Sequence, residues 1–130
     1  MTKEIPSVEA WLREAKADAA AADCGMFLIH NGVVRRSAKA RVRLGDETVS
    51  DVSGMLFSYD REKAAAAVEA AKAMPGIRCV RVWLNEGELK VGDDIMYVLI
   101  GGDIRPRVVD ALQFLVGKLK DECVTETERY

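Results

Sequence analysis

Residues 61–73 are rich in alanine with Glu and Lys interspersed, stop at Pro75-Gly76, and give way to two β-rich runs, 77–84 and 95–100. Alanine has the highest helix propensity and Pro and Gly end helices, so the first segment predicts a helix N-capped by Asp60. The run 77–84 alternates Ile77, Cys79, Val80 and Val82 with Arg78 and Arg81, and the ten residues 85–94 supply turn formers. Two antiparallel neighbouring strands joined across that connection follow. A helix followed by two adjacent strands is not the strict strand–helix alternation of a doubly wound parallel sheet.

The flanking segments extend the same pattern. Ser7 is placed to cap a helix with Val8, Trp11, Leu12 and Ala15 at helical spacing, running to about Ala22. Gly25 opens a β-rich run that ends at Arg35 and Arg36 and reads as a largely buried strand, with His30 as a strand residue rather than a base or ligand. Residues 49–59 read as a second strand, with Val52, Met55 and Phe57 facing the core and Gly54 marking a bulge. After Gly101-Gly102-Asp103, with Pro106 in the first turn, Val108, Val109, Leu112, Leu115, Val116 and Leu119 trace one face of a last helix. The order helix, strand, strand, helix, strand, strand, helix predicts an α+β domain with a mainly antiparallel sheet and three helices. Trp11 and Trp83 read as core or interface anchors, and Cys79 as a small buried hydrophobe.

At 130 residues, 49% hydrophobic and 31% charged, the chain is one domain's worth and carries enough apolar content for a core. The formal net charge of −2 gives no global basic field that would draw nucleic acid or an anionic membrane. The longest apolar stretch, residues 95–102, is far short of the roughly 20 residues of a membrane-spanning helix. Residues 1–6, with Lys3 and Glu4, do not read as a secretory signal, which makes the cytoplasm the expected location. Cys24, Cys79 and Cys123 are widely spaced and odd in number, with no C-x-x-C and only one histidine in the chain, so neither a disulfide framework nor a metal site is expected. No nucleophile elbow, Walker loop or dinucleotide fingerprint is present, and no cofactor is expected.

The remaining chemistry is cationic. Residues 35–43 hold Arg35, Arg36, Lys39, Arg41 and Arg43, a run that most simply forms a solvated, mobile hairpin tip and alternatively contacts an anion or a partner. Arg105 stands at a helix start, where backbone N–H groups and a guanidinium together suit a phosphate, with Asp103 opposing. Lys118 and Lys120 lie at the end of that helix, where a lysine complements the dipole or binds an anion. Nucleic-acid binding through residues 35–43 is disfavoured by the net negative charge and by the lack of aromatics within the run.

Taken together, Gly25-Met-Phe-Leu-Ile-His-Asn-Gly-Val-Val-Arg35, Leu56-Phe-Ser-Tyr59 with the Ala-rich helix, Gly87-Glu-Leu-Lys-Val-Gly-Asp93, and Arg105 through Ala111-Leu-Gln-Phe114 to Leu119-Lys120 resemble the large subunit of molybdopterin synthase, the MoaE family. The resemblance treats residues 1–130 as a single MoaE-like domain, is strongest over 25–120, and leaves 121–130 as an acidic tail. It implies an α/β hammerhead-like fold and a homodimer that binds two small ubiquitin-like sulfur-carrier subunits, MoaD-like proteins with a Gly-Gly thiocarboxylate tail. The implied activity is a sulfurtransferase reaction of molybdenum cofactor biosynthesis, which converts cyclic pyranopterin monophosphate to molybdopterin. Carried over by position, Lys120 is the catalytic lysine and Arg35 and Arg105 bind the substrate phosphate or the tail carboxylate.

Three positions depart from the family pattern. Its histidines fall at Ile104 and Leu84, and its second lysine falls near Thr127, where a gap would bring Arg129 into that role as a substrate-binding residue. The family's C-terminal extension has no counterpart past Tyr130. These departures leave a second reading open, a non-catalytic MoaE-like module that binds the sulfur-carrier tail. Arg105 and Lys120 are separated by fifteen residues, roughly 22 Å along one helix, so a shared pocket implies that one protomer contributes its Arg105 to the other's Lys120.

Overall fold

The structure is a computed structural model that describes residues 4–130, so part of the stretch read as lacking a secretory signal, residues 1–3, lies outside the described residues. Helix α1 spans Val8–Ala17, and the Ser7 hydroxyl accepts from the Ala10 N–H at 3.1 Å. It stops five residues earlier than its apolar spacing predicts. Asp18 adopts an extended backbone, and its carboxylate accepts from the Ala20 N–H at 2.8 Å, which starts a separate 3-10 turn, Ala19–Asp23. A local side-chain bond to the backbone has won over helix continuation.

Strand β1 (Met26–Val33) is half-buried over its first five residues and exposed at Asn31 and Val33, rather than largely buried. The basic run that follows is not a hairpin tip: it folds into a short helix, α2 (Lys39–Leu44), seated on the fully buried Ala38. Strand β2 begins only at Gly54 (Gly54–Tyr59), because Asp51 and the backbone N–H of Val52 are tied back to the basic segment. Val52, Met55 and Phe57 are buried as expected. Gly54 is not a bulge, since its pairing with β4 and β6 is in continuous register. Its glycine serves close approach: a Cβ there would stand 2.5 Å from the Leu89 carbonyl oxygen.

Helix α3 (Arg61–Lys72) has the predicted cap, with the Lys63 N–H donating to the Asp60 carboxylate at 3.0 Å. Strands β3 (Ile77–Leu84) and β5 (Asp94–Gly102) are antiparallel neighbours, as their sequence predicts. The connection between them holds an unpredicted strand, β4 (Gly87–Lys90), which pairs with β2 instead. Buried Asn85 makes that exit possible. Its amide donates to the Asp94 carbonyl at 2.8 Å and its side-chain oxygen accepts from the Glu86 N–H at 2.8 Å, so no polar group is stranded. Helix α4 (Arg105–Lys118) leads into a π-helical turn, Leu119–Cys123. The acidic tail is not a tail: residues Val124–Arg129 form β6 and pair along the whole of β2.

The result is α+β, with three main helices, short α2, and two antiparallel three-stranded sheets in the orders β1-β5-β3 and β4-β2-β6 rather than one sheet. Helices α3 and α4 cover the inner face of the first sheet, where Leu115, Ile100, Val98 and Val108 are fully buried. Each large apolar side chain so buried contributes roughly 1.5–3 kcal/mol. On the outer face, α1 is held by Trp11 against Tyr97 at 6.4 Å between ring centroids, by Trp83 against the same ring at 5.7 Å, and by the Arg81–Glu14 ion pair at 2.9 Å. Cys79 is half-buried on that outer face, not enclosed in the core. No helix among the described residues is long and apolar enough to cross a membrane.

Candidate functional site

At the junction of the two sheets lies a cleft of about 320 Å³, with Val33, Ile95 and Met55 as its apolar floor. Its polar wall brings together Arg35, Lys39 and Arg43 from the segment after β1, Lys120 from the end of α4, and Glu126, Thr127 and Glu128 from β6.

Lys120 owes its position to the π-helical turn. Leu119 and Cys123 are buried at its two ends, and the Cys123 carbonyl accepts from the Asp60 N–H at 2.8 Å, which fixes the turn to the start of α3. Lys120 is left on the cleft side. Its ammonium lies 3.5 Å from the Glu126 carboxylate, and that carboxylate side chain is only 8% exposed. A carboxylate so buried requires a charged partner, so the ion pair orients Lys120 as much as it neutralises it. Lys118, by contrast, pairs with Glu122 at 3.2 Å and lies over the Phe114 ring, outside the cleft.

The basic run divides into two groups. Arg41 pairs with Asp51 at 2.8 Å and donates to the Val49 carbonyl, and Arg36 reaches the same carboxylate at 3.9 Å. Those two cations hold the segment down. Arg35, Lys39 and Arg43 face the cleft, the last two one helical turn apart. Arg35 is aimed by its own Nε, which donates to the Ser37 carbonyl at 2.9 Å, and none of these three makes an ion pair among the described residues. The start of α2 has no side-chain cap of its own. The Lys39 N–H donates to the Glu128 carboxylate at 2.9 Å, so β6 anchors the helix that carries these cations.

Two candidates stand elsewhere. Arg105 is exposed at the start of α4 and does not line the cleft. Asp103 beside it is occupied by the Ile104 N–H and by Arg107, both at 2.7 Å. Arg129 points from the opposite face of β6 and donates to Glu88 at 3.2 Å, so it does not supply the cleft with a cation. Of the three departing positions, Leu84 is buried, Ile104 is exposed beside Arg105, and Thr127 borders the cleft.

His30 lies on the inner side of β1, with its Nε2 buried and without a hydrogen-bond partner. Burial, and then the positive charge of Lys120, push its pKa below the ordinary 6.5. At neutral pH it is a neutral imidazole under the cleft. Sequence reading missed Glu126 and Glu128, although a signal was present: Val-Thr-Glu-Thr-Glu-Arg alternates with period two, which is a strand pattern that places both glutamates on one side. Among the described residues no group of three or more His, Cys, Asp or Glu side chains could hold a metal ion.

Fold and site define an α+β protein with a cation-lined cleft where its two antiparallel sheets meet. The chain belongs to the MoaE family: the family model described as MoaE protein matches residues 1–122. It shares the fold of molybdopterin synthase from Staphylococcus aureus, at a TM-score of 0.74 and 15% identity over 98% of this chain and 87% of that one. The MoaE protein of molybdopterin biosynthesis from Burkholderia ambifaria is similar at a TM-score of 0.71 and 18% identity, over 95% of this chain and 79% of that one. A chain in the complex of subunits 1 and 2 of molybdopterin-converting factor from Helicobacter pylori matches at a TM-score of 0.65 and 14% identity, over 95% of this chain and 78% of that one. At such identities the likeness is one of fold. A comparison with curated protein sequences finds no match.

Proposed function

We propose that this protein is the catalytic subunit of a molybdopterin synthase. As a sulfurtransferase it moves sulfur from the thiocarboxylate tail of a small ubiquitin-like subunit to cyclic pyranopterin monophosphate, in the cytoplasm, as one domain of a homodimer with two small subunits. The observation that carries this reading is the convergence of Arg35 and Lys120, far apart in sequence, on one cleft in a chain of this family. The cations answer the needs of the reaction. Arg35, with Lys39 and Arg43 beside it, holds the substrate phosphate or the tail carboxylate through charge-assisted hydrogen bonds. Lys120 stabilises the oxyanion of the tetrahedral adduct formed at the thiocarboxylate carbon, a charge that water stabilises less well than a fixed ammonium. Arg105 reaches the site from the partner protomer, which is in keeping with its distance from the cleft of its own chain.

The Lys120–Glu126 pair favours a second reading. A lysine already neutralised, with Thr127 rather than a cation beside it, suits a module that binds the sulfur-carrier tail without turnover. One experiment separates the two: single-turnover conversion of cyclic pyranopterin monophosphate with a thiocarboxylated small subunit, alongside direct binding of the two proteins. Product together with binding establishes the synthase; binding without product establishes the module; absence of both overturns each.

A further inference from the structure

The outer face of the first sheet carries a feature that the anion cleft does not use. Cys79, Arg81 and Trp83 alternate along β3 toward α1, as the contacts of Arg81 with Glu14 and of Trp83 with Tyr97 show. Cys79 is paired in register with Gly101 of β5, so the two residues stand side by side on this face. Cβ positions of directly paired residues are about 4.5–5.5 Å apart. Gly101 has no side chain, and the space it leaves is filled by the Phe27 ring, 2.6 Å from where a Gly101 Cβ would be, with the Cys24 Sγ at its edge at 3.3 Å. Cys24 and Cys79 also line one cleft of about 210 Å³, open to solvent, at the end of the 3-10 turn. Both are free thiols and both are half-exposed, whereas Cys123 is buried elsewhere.

We propose that Cys24 and Cys79 form a dithiol modification site that hydroperoxide-class oxidants convert to an intramolecular disulfide. In the first step one thiolate attacks a peroxide oxygen: an S–O bond forms, the O–O bond breaks, and a sulfenic acid and hydroxide result. In the second, the other thiolate attacks the sulfenic sulfur, an S–S bond forms, the S–O bond breaks, and the oxygen leaves as water. Two thiols and one hydrogen peroxide thus give one disulfide and two waters. The Cys24 backbone is held, its N–H donating to the Ala21 carbonyl at 3.0 Å and the Gly25 N–H to the Gly102 carbonyl at 2.7 Å, so the gap to Cys79 closes by rotation of the thiol about Cα–Cβ, away from the Ala20 carbonyl to which it donates at 3.6 Å. Burial pushes both thiols up, opposed by the positive charge of Arg78 at Cys24 and of Arg81 at Cys79, so the thiolate fraction of each is reduced. The bond ties the 3-10 turn to β3 and so fastens the α1 layer onto the sheet.

The test is oxidation of the full chain with hydrogen peroxide, followed by non-reducing proteolysis and mass spectrometry, with thermal unfolding before and after. The expected result is a Cys24–Cys79 cross-linked peptide in the wild type and in Cys123→Ser, its absence in Cys24→Ser and Cys79→Ser, and a melting temperature raised by oxidation only where the cross-link forms. Sulfinic acids at Cys24 and Cys79 without a cross-link, a cross-link through Cys123 or between chains, or no reaction would each overturn the proposal. Neither cysteine lines the anion cleft, so the outcome does not depend on sulfur transfer.

Discussion

The sheet β1-β5-β3 and the cleft beside β2 and β6 are held together by different forces. In the first, β5 is buried from Ile95 to Gly102 and its neighbours present apolar side chains to α3 and α4. In the second, the parts are joined by carboxylates: Glu126 with the Lys120 ammonium, Glu128 with the Lys39 backbone N–H, and Asp51 with the Arg41 guanidinium. Apolar packing is non-directional and tolerates many residue combinations, while each polar link depends on one partner at one distance. Substitutions in the two regions are therefore expected to separate activity from stability.

The largest expected effect lies in the cleft. Lys120→Ala should reduce single-turnover sulfur transfer by about 10²–10³-fold, the range for loss of one oxyanion-stabilising group. It should also lower stability by about 1–3 kcal/mol, since Glu126 is left buried without a counter-charge, less than for a fully enclosed pair because Lys120 is 30% exposed. Chemical denaturation measures the second effect. The double variant Lys120→Ala with Glu126→Ala should regain the stability and none of the transfer. If it regains transfer, the assignment of Lys120 is wrong.

In the packed sheet the balance reverses. Leu99 is fully buried on β5, and Leu99→Ala should cost about 2–5 kcal/mol of stability. At a temperature where the variant remains folded, binding of inorganic pyrophosphate to the cleft should be unchanged, as read by calorimetry. A large loss of affinity would show that the two regions are coupled through the sheet.

A smaller effect sharpens the picture of the cleft alone. Glu126→Gln keeps the shape of the side chain and removes the charge that occupies Lys120. Pyrophosphate affinity should rise by about 3- to 10-fold at low salt, and the gain should shrink as salt screens the added positive field. Unchanged affinity at every salt concentration would mean that Lys120 does not face the bound anion.

The same division explains what the sequence reveals. Helix α3 with its Asp60 cap, the β3 and β5 pair and the apolar face of α4 all follow from periodicity and turn residues, because burial imposes a repeating pattern on them. The cleft follows from none of these. Arg35 and Lys120 are found through family resemblance and meet in the structure, but Arg36, Arg41 and Arg129 read like their neighbours in sequence and are taken up by Asp51 and Glu88. Which cation faces a cleft depends on which carboxylate lies opposite it in space. Strand β6 was hidden for a related reason: its polar alternation carries the period of a strand but none of the hydrophobicity, and it is held by pairing with β2.

His30 lies where the two regions touch, on a strand of the packed sheet and under the charge of Lys120, and it is the only histidine in the chain. Its pKa in the folded protein is lowered, first by burial and then by Lys120, from the 6.5 that it recovers on unfolding. Below that value the unfolded chain binds a proton that the folded chain resists, so stability falls as the pH is lowered from about 6.5 toward the folded pKa. His30→Leu should flatten the melting temperature against pH over this window and leave the loss at lower pH, where carboxylates titrate. The imidazole can be followed directly by NMR, since its signals are unique. In Lys120→Ala the folded pKa should move upward, and only partly, because burial remains. A pKa that does not respond to the loss of Lys120 would separate the cleft from the sheet beneath it, and a pH profile unchanged in His30→Leu would place the acid sensitivity entirely on the carboxylates of the polar region.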